Sequence, residues 1–265
     1  METMDTHGFA SRDLDNPLSA DIHRLIALVA ESDTVAGFTG AGISTESGVP
    51  DFRSSSPWMR NKPIPFDAFL QSEEVLREDW RRKFTMDDLY RDARPSRGHL
   101  ALASLVQQGK MPAVITQNID GLHHASGIPA ERIIELHGNG TYATCLSCSL
   151  RHELDSIRRR FEAQALAPRC DSCGGIVKAA TISFGQAMPE AAMRRAEELA
   201  LACDLFIVVG SSLVVYPAAA LPALAKQNGA ALVIINREPT PLDEIADLVI
   251  RGEIGSVLEP FIVRN

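Results

Sequence analysis

The apolar positions of this chain follow two alternating patterns. Short runs rich in β-branched side chains recur at TVAGFTG (34–40), AVIT (113–116), DLFIVVG (204–210), ALVIIN (231–236) and DLVI (247–250), and their length and composition predict strands. Between them the spacing changes to that of helices. Ile22, Leu25, Ile26 and Val29 share one face of a segment over 19–30, with Ser19 as its cap, and HLALASLVQQ (99–108) and PEAAMRRAEELALA (189–202) repeat the pattern. Strands alternating with helices predict βαβ units, hence an α/β fold built on a Rossmann-like, doubly wound parallel sheet.

Two stretches interrupt the alternation. The first, 53–95, is polar and Pro-containing, with REDWRRKFTMDDLY reading as a helix; the second, 140–182, holds four cysteines. The sheet domain is therefore assigned to 17–52, 96–139 and 183–265. Residues 1–16 are polar and acidic and are expected to be a disordered tail.

Composition narrows the class. At 265 residues and 45% hydrophobic, the chain can bury one substantial core and a small satellite. A formal charge of −8 argues against binding duplex nucleic acid, which calls for a basic stripe. With neither a leader-like h-region nor an apolar run of the roughly 18 residues that span a bilayer, the chain is expected to be cytoplasmic, with no membrane partner. The sequence does not set its oligomeric state.

The chemistry-bearing motifs come in order. Gly40-Ala41-Gly42-Ile43-Ser44 follows the first strand, where a glycine turn lets backbone N–H groups approach a pyrophosphate, and the helical start behind it adds its dipole. A plain tight turn would read the same way. In the PDFR run that follows Gly48, the Arg53 guanidinium can reach phosphate or ribose. Gln117-Asn118-Ile119-Asp120 closes the AVIT strand at its C-terminal end, where open α/β sheets place ligands; Asp120 also suits a helix cap. Gly210-Ser211-Ser212 ends another strand and should meet ribose or phosphate, and Asn236 and Glu238 end the next. Ile182-Ser183-Phe184-Gly185 and Leu213-Val214-Val215-Tyr216 offer extended backbone for pairing with a peptide, or are ordinary core strands.

Cys145-x-x-Cys148 and, 21 residues later, Cys170-x-x-Cys173 supply four thiolates for a closed, structural zinc site; a redox dithiol pair is the other reading. Cys203, alone in ACDLFIVVG, reads as a buried inert thiol. Of the seven histidines, His7, His23, His99, His124 and His152 read as structural, and His123 as packed or bonded within its own motif. His137 differs because Gly138 follows it and leaves the imidazole room to face a ligand, with an ordinary pKa suited to base catalysis near neutrality.

GAGISTESGVPDFRS (40–54), TQNIDGLH (116–123), LHG (136–138), the paired clips, GSSLVVYPAA (210–219), INRE (235–238) and GEIGSVL (252–258) together resemble the sirtuins, NAD-dependent protein lysine deacylases, from about Thr34 onward. The resemblance implies a small domain of a helical module and a zinc ribbon beside the Rossmann-like domain, with both substrates in the cleft. It implies NAD consumed as co-substrate, one structural zinc on Cys145, Cys148, Cys170 and Cys173, and acyl-lysine proteins or peptides as partners. His137 would be the base and Asn118 would orient ribose or water. Asp120 would accept from the nicotinamide carboxamide, Gln117 would touch ribose, and Ile119 would line the acyl-lysine tunnel. Gly40, Ala41, Gly42, Ser44, Asp51, Phe52 and Arg53 would hold the cofactor with Gly210, Ser211 and Ser212. Asn236 and Glu238 would face the adenosine half and Ile254 the adenine, while Phe52, Trp58 and NKPIPF look like the mobile cofactor loop. Ile182, Phe184, Gly185, Val214 and Val215 would bind the peptide. The products would be nicotinamide, O-acyl-ADP-ribose and free lysine.

Two departures mark the peptide side. Lys178-Ala179-Ala180 replaces a common Arg-Pro pair, and Gln186 replaces a common Glu. Members that remove succinyl or malonyl groups carry a Tyr and, three residues later, an Arg in the helical insertion; none is clear here, with Arg81 or Arg82 as substitutes, so acetyl is the expected acyl group. Protein ADP-ribosylation and a nucleotide-sensing zinc-ribbon module are the competing functions.

Overall fold

The computed structural model describes residues 17–51 and 63–263. Six parallel strands, β1 (Val35–Thr39), β2 (Val114–Thr116), β3 (Ile133–Glu135), β7 (Leu205–Val209), β8 (Ala231–Ile235) and β9 (Leu248–Ile250), form the main sheet in the order β3-β2-β1-β7-β8-β9. The five expected strands are all present. β3, in the RIIE run before LHG, is an additional edge strand.

Alternation along β1 separates the two faces: Val35 joins one apolar cluster, Ala36 and Phe38 the other. The first cluster is covered by α1 (Pro17–Glu31), α4 (Arg97–Gln107) and α9 (Ile254–Leu258); the second by α7 (Glu190–Ala202) and α8 (Leu221–Gln227). α1 buries Leu25 and Val29 as its spacing predicts, but it starts at Pro17. Ser19 is therefore inside the helix rather than its cap, and its carbonyl accepts a hydrogen bond from His23 Nδ1.

A second, antiparallel sheet contains β4 (Gly138–Cys145), β5 (Arg151–Glu153) and β6 (Val177–Thr181). Against it pack α3 (Glu73–Leu89), through Trp80 and Phe84, and α6 (Leu154–Gln164), through Ile157 and Phe161. The Trp80 indole N–H donates to Val177 O at 3.2 Å, tying the helical insertion to the cysteine-bearing sheet. α2 (Phe66–Gln71) completes this layer, its Phe69 packing with Leu76 of α3 around Ala167. Among the described residues no helix is long and apolar enough to cross a membrane.

Candidate active site

Chain order reverses between β1 and β7, and the crevice beyond the C-terminal ends of such neighbouring strands is where open α/β sheets bind ligands. Two loops meet there. Gly42 N–H donates to Gly210 O at 2.8 Å, and a Cβ on Gly42 would lie 2.7 Å from Gly210 Cα. Gly40 is as constrained, with Gly210 O and Ser211 Cα each 2.8 Å from its would-be Cβ. The glycines therefore serve loop-to-loop packing first. The helical start behind them is a 3₁₀ helix, Ala41–Ser47, and Ile43 N–H is bonded to Gly40 O. This differs from the expected fan of N–H groups left open at an α-helix start.

Polar side chains converge on this crossing. Asn118 Nδ2 donates to Gly40 O at 3.1 Å and to Ser44 Oγ at 3.2 Å, and the buried Ser44 hydroxyl donates to Asp120 Oδ2 at 2.6 Å. Asp120 also accepts Leu122 N–H at 2.9 Å, but it stands one residue ahead of the N-cap of the short helix Leu122–Ala125, which is Gly121 rather than Asp120 as expected. Gln117 Nε2 donates to Ser211 Oγ at 2.8 Å, joining the ends of β2 and β7. Ala41, Ser212 and Asp51 are half-buried in the adjoining loops. Phe52, Arg53 and Trp58 lie outside the described residues.

His137 faces the same end of the sheet. Its Nδ1 lies 3.1 Å from Gln117 O, and a carbonyl can only accept, so the proton sits on Nδ1 and Nε2 carries the lone pair. Burial pushes its pKa below the usual histidine value, while the Gln117 carbonyl pulls it back up. A neutral imidazole with a free Nε2 is a base at neutral pH. Gly138 has φ of +73°, and a Cβ there would meet Ala180 O at 2.1 Å, so glycine is required by the close approach of β6 as well as by the turn.

The remaining residues sort by position. Asn236 is buried, but its amide donates to Glu238 O at 2.7 Å, and the Glu238 side chain is exposed at the loop surface. Ile254 packs near Gly98 and Ile43 at the edge of the first apolar cluster. The two segments expected as extended edges are turns. In the first, Gly185 has φ of +82° and Gln186 N–H bonds Ser183 O; in the second, Leu213 has φ of +55°. Neither is a core strand, since Phe184 and Val214 are exposed and Val215 half-buried. Ile182 N–H donates to His137 O at 2.8 Å, placing that turn directly beside the base.

The departures have structural partners. Lys178 is buried, with Nζ donating to Thr181 O at 2.6 Å, and burial lowers its pKa to about 8. The Gln186 amide oxygen accepts Ser183 N–H at 3.2 Å and closes the 183–186 turn. Arg81 and Arg82 both bond Glu78, and neither lines the cavity of about 520 Å³ that opens behind Ile119 and Asp120.

The four clip cysteines meet at the tip of the second sheet. Their Sγ atoms lie within 4.8 Å of one another, with pairs at 3.4, 3.5 and 3.7 Å. Sulfurs held at about 2.3 Å from one tetrahedral zinc stand about 3.8 Å apart, whereas a disulfide needs about 2.05 Å, so the quartet fits a metal and excludes the bonded dithiol form here. Cys203 is buried, and burial pushes its thiol up to about 11, as an inert core residue requires.

One expectation is corrected: His123 does not pack or bond within its own 116–123 motif, since its ring bonds Thr39 Oγ1 at 2.8 Å and contacts His99, both outside that motif. His99 and His123 are both buried, their ring centroids 4.7 Å apart.

A profile described as the Sir2 family matches residues 40–217. "NAD-dependent protein deacetylase 1" of Bradyrhizobium diazoefficiens is 59% identical over 246 residues, covering 92% of this chain and 96% of the relative. "NAD-dependent protein deacetylase" of Rhodopseudomonas palustris is 58% identical, covering 92% of this chain and 97% of the relative. Among solved structures, one described as "Sir2-p53 peptide-NAD+" superposes with a TM-score of 0.79 at 35% identity, covering 90% of this chain and 96% of that one.

Proposed function

The chain belongs to the Sir2 family, and from that premise we propose that it removes acyl groups, acetyl foremost, from protein lysine side chains while consuming NAD. The observation that carries the reading is the free Nε2 of a neutral His137 beside the Asn118–Ser44–Asp120 hydrogen-bond line at the β1/β7 crossing. NAD, when bound, supplies an activated bond between nicotinamide and ribose whose anomeric carbon can take the acyl oxygen.

The residues present fit that cofactor: the Gly40–Gly42 and Gly210–Ser212 loops for its phosphates and ribose, Asp120 for its carboxamide, and Asn236, Glu238 and Ile254 for its adenosine half. His137 Nε2 accepts a proton from a ribose hydroxyl. Asn118, whose amide is held by Gly40 O, orients the group that is deprotonated. The acylated lysine enters past Phe184 and Val214, with Ile119 against its acyl end, and positioning plus exclusion of water supply much of the acceleration. Cys145, Cys148, Cys170 and Cys173 hold one structural zinc, closed to water and substrate. Thiols that must stay reduced support a cytoplasmic address.

The test is nicotinamide release from NAD in the presence of an acetyl-lysine peptide. Release that depends on the acetyl group is expected; equal release with the unacetylated peptide would overturn the reading.

A further inference from the structure

Behind the site lie the two buried imidazoles that the proposed chemistry does not use. Ser96 N–H donates to His99 Nδ1 at 3.2 Å, so His99 carries its proton on Nε2. On the other ring, His123 Nε2 lies 2.8 Å from Thr39 Oγ1, and Thr39 Oγ1 donates to Thr116 Oγ1 at 2.8 Å. A threonine has one hydroxyl proton. Directing that proton to Thr116 lets the ring donate Nε2–H to Thr39, and this tautomer leaves the partnerless His123 Nδ1 a lone pair rather than an orphaned buried donor. Thr116 Oγ1 also accepts Asn118 N–H at 3.0 Å.

This last bond has a topological reason. Gln117 N–H still finds a partner on the β1 side in Thr39 O at 3.0 Å, but on the opposite side the β2–β3 register ends at Thr116 and Glu135, so Asn118 N–H is the first donor beyond it. The Thr116 hydroxyl takes the place of the missing strand partner. Burial holds both rings in the neutral form, pushing His99 to about 4 and His123 well below the usual value. The remaining nitrogens, His99 Nε2 and His123 Nδ1, have no hydrogen-bond partner among the described residues.

We propose that His123 is a positioning residue: by donating to Thr39 it orients the Thr39 and Thr116 hydroxyls, and so sets the peptide unit that aims Asn118 at the ribose. The inference rests on the place given to Asn118 in the deacylation. His99 supports the arrangement by filling the other side of the His123 ring.

The experiment compares Thr39→Val, His123→Phe, their double variant and His123→Gln, whose side-chain amide can donate where Nε2–H does. Each single apolar variant is expected to lower kcat on the order of tenfold, as small misplacements of a reacting group do, with zinc content and peptide KM unchanged. The double variant is expected to be no worse than the poorer single one, and His123→Gln to recover most of the rate. Losses that multiply in the double variant, or kcat within about twofold of wild type in folded single variants, would overturn the proposal. A second readout does not depend on turnover. Ring ¹⁵N spectra should show His123 protonated on Nε2, and hydrogen exchange at Asn118 N–H should quicken in Thr39→Val and His123→Phe. A proton on Nδ1, or unchanged exchange, refutes the relay. Wild-type protein inactive on every acyl peptide would refute the functional reading while these spectra still decided the relay.

Discussion

Replacing the acetyl group of a substrate by succinyl adds one carboxylate at the far end of the acyl chain, which the proposed binding mode directs into the cavity behind Ile119. That cavity is already lined by the carboxylates of Asp87, Asp120 and Asp155, and the two cations that line it among the described residues, Arg91 and Arg158, are committed elsewhere. Arg158 grips Asp88 through two bonds of 2.7 Å and Glu162 through a third at 2.7 Å, and Arg91 is paired with Asp88 as well. Lys83, the next cation along α3, bonds Asp87. A succinyl carboxylate about 6 Å from one fixed carboxylate, at an effective dielectric near 20, is repelled by about 3 kcal/mol, on the order of a hundredfold in rate. Acetyl-lysine peptides should therefore exceed succinyl-lysine peptides of the same sequence in kcat/KM by roughly that factor, read by nicotinamide release. Asp88→Asn, which loosens Arg158 and Arg91, should narrow the ratio, while Arg81→Met should leave it unchanged because Arg81 bonds Glu78 away from the cavity. An unmodified enzyme that prefers succinyl, or treats the two alike, refutes the electrostatic argument.

Freshly purified, reduced protein is predicted to hold one zinc per chain, and Cys148→Ser to lose it. Because Trp80 and Phe84 share an apolar cluster with Cys145 and Cys170, metal removal should red-shift Trp80 emission in a Trp58→Phe background; an unshifted spectrum in the zinc-free protein would contradict this coupling. His137→Ala should abolish deacylation with NAD affinity largely retained, and the wild-type kcat/KM should fall only below pH 6.5, since burial lowers the His137 pKa; an acid limb centred above 7 would count against it as the base. His99 shifts from about 6.5 unfolded to about 4 folded, so its contribution to stability is complete above pH 6.5 and lost as pH falls toward 4, about 3 kcal/mol in all. Denaturant unfolding of His99→Gln should show a smaller loss over that window than wild type, and an identical loss would show that another group sets it.

The main sheet was readable because strands covered on both sides are short continuous apolar runs, as in DLFIVVG and ALVIIN. β3 escaped notice: it contributes only Ile133, Ile134 and Glu135 at a sheet edge, just after the charged residues of Pro129–Arg132. α6 escaped too, because Leu154, Ile157 and Phe161 are separated by charged residues and gain meaning only against α3 and β4. Site residues at strand ends were visible as polar groups where packing predicts none. What they bond to was not: the Gly42–Gly210 contact joins residues far apart in the chain, and so does the tilted ring contact of His99 with His123. Leu213 at positive φ likewise contradicts the β-branched look of LVVY, because the loop is shaped by its surroundings rather than by local propensity.

The central claim is tested most directly by mass analysis of the products formed from NAD and an acetyl-lysine peptide. The account predicts nicotinamide, deacetylated peptide and O-acetyl-ADP-ribose in equal amounts. ADP-ribose attached to peptide or protein, with the acetyl group left on lysine and no O-acetyl-ADP-ribose, would contradict it.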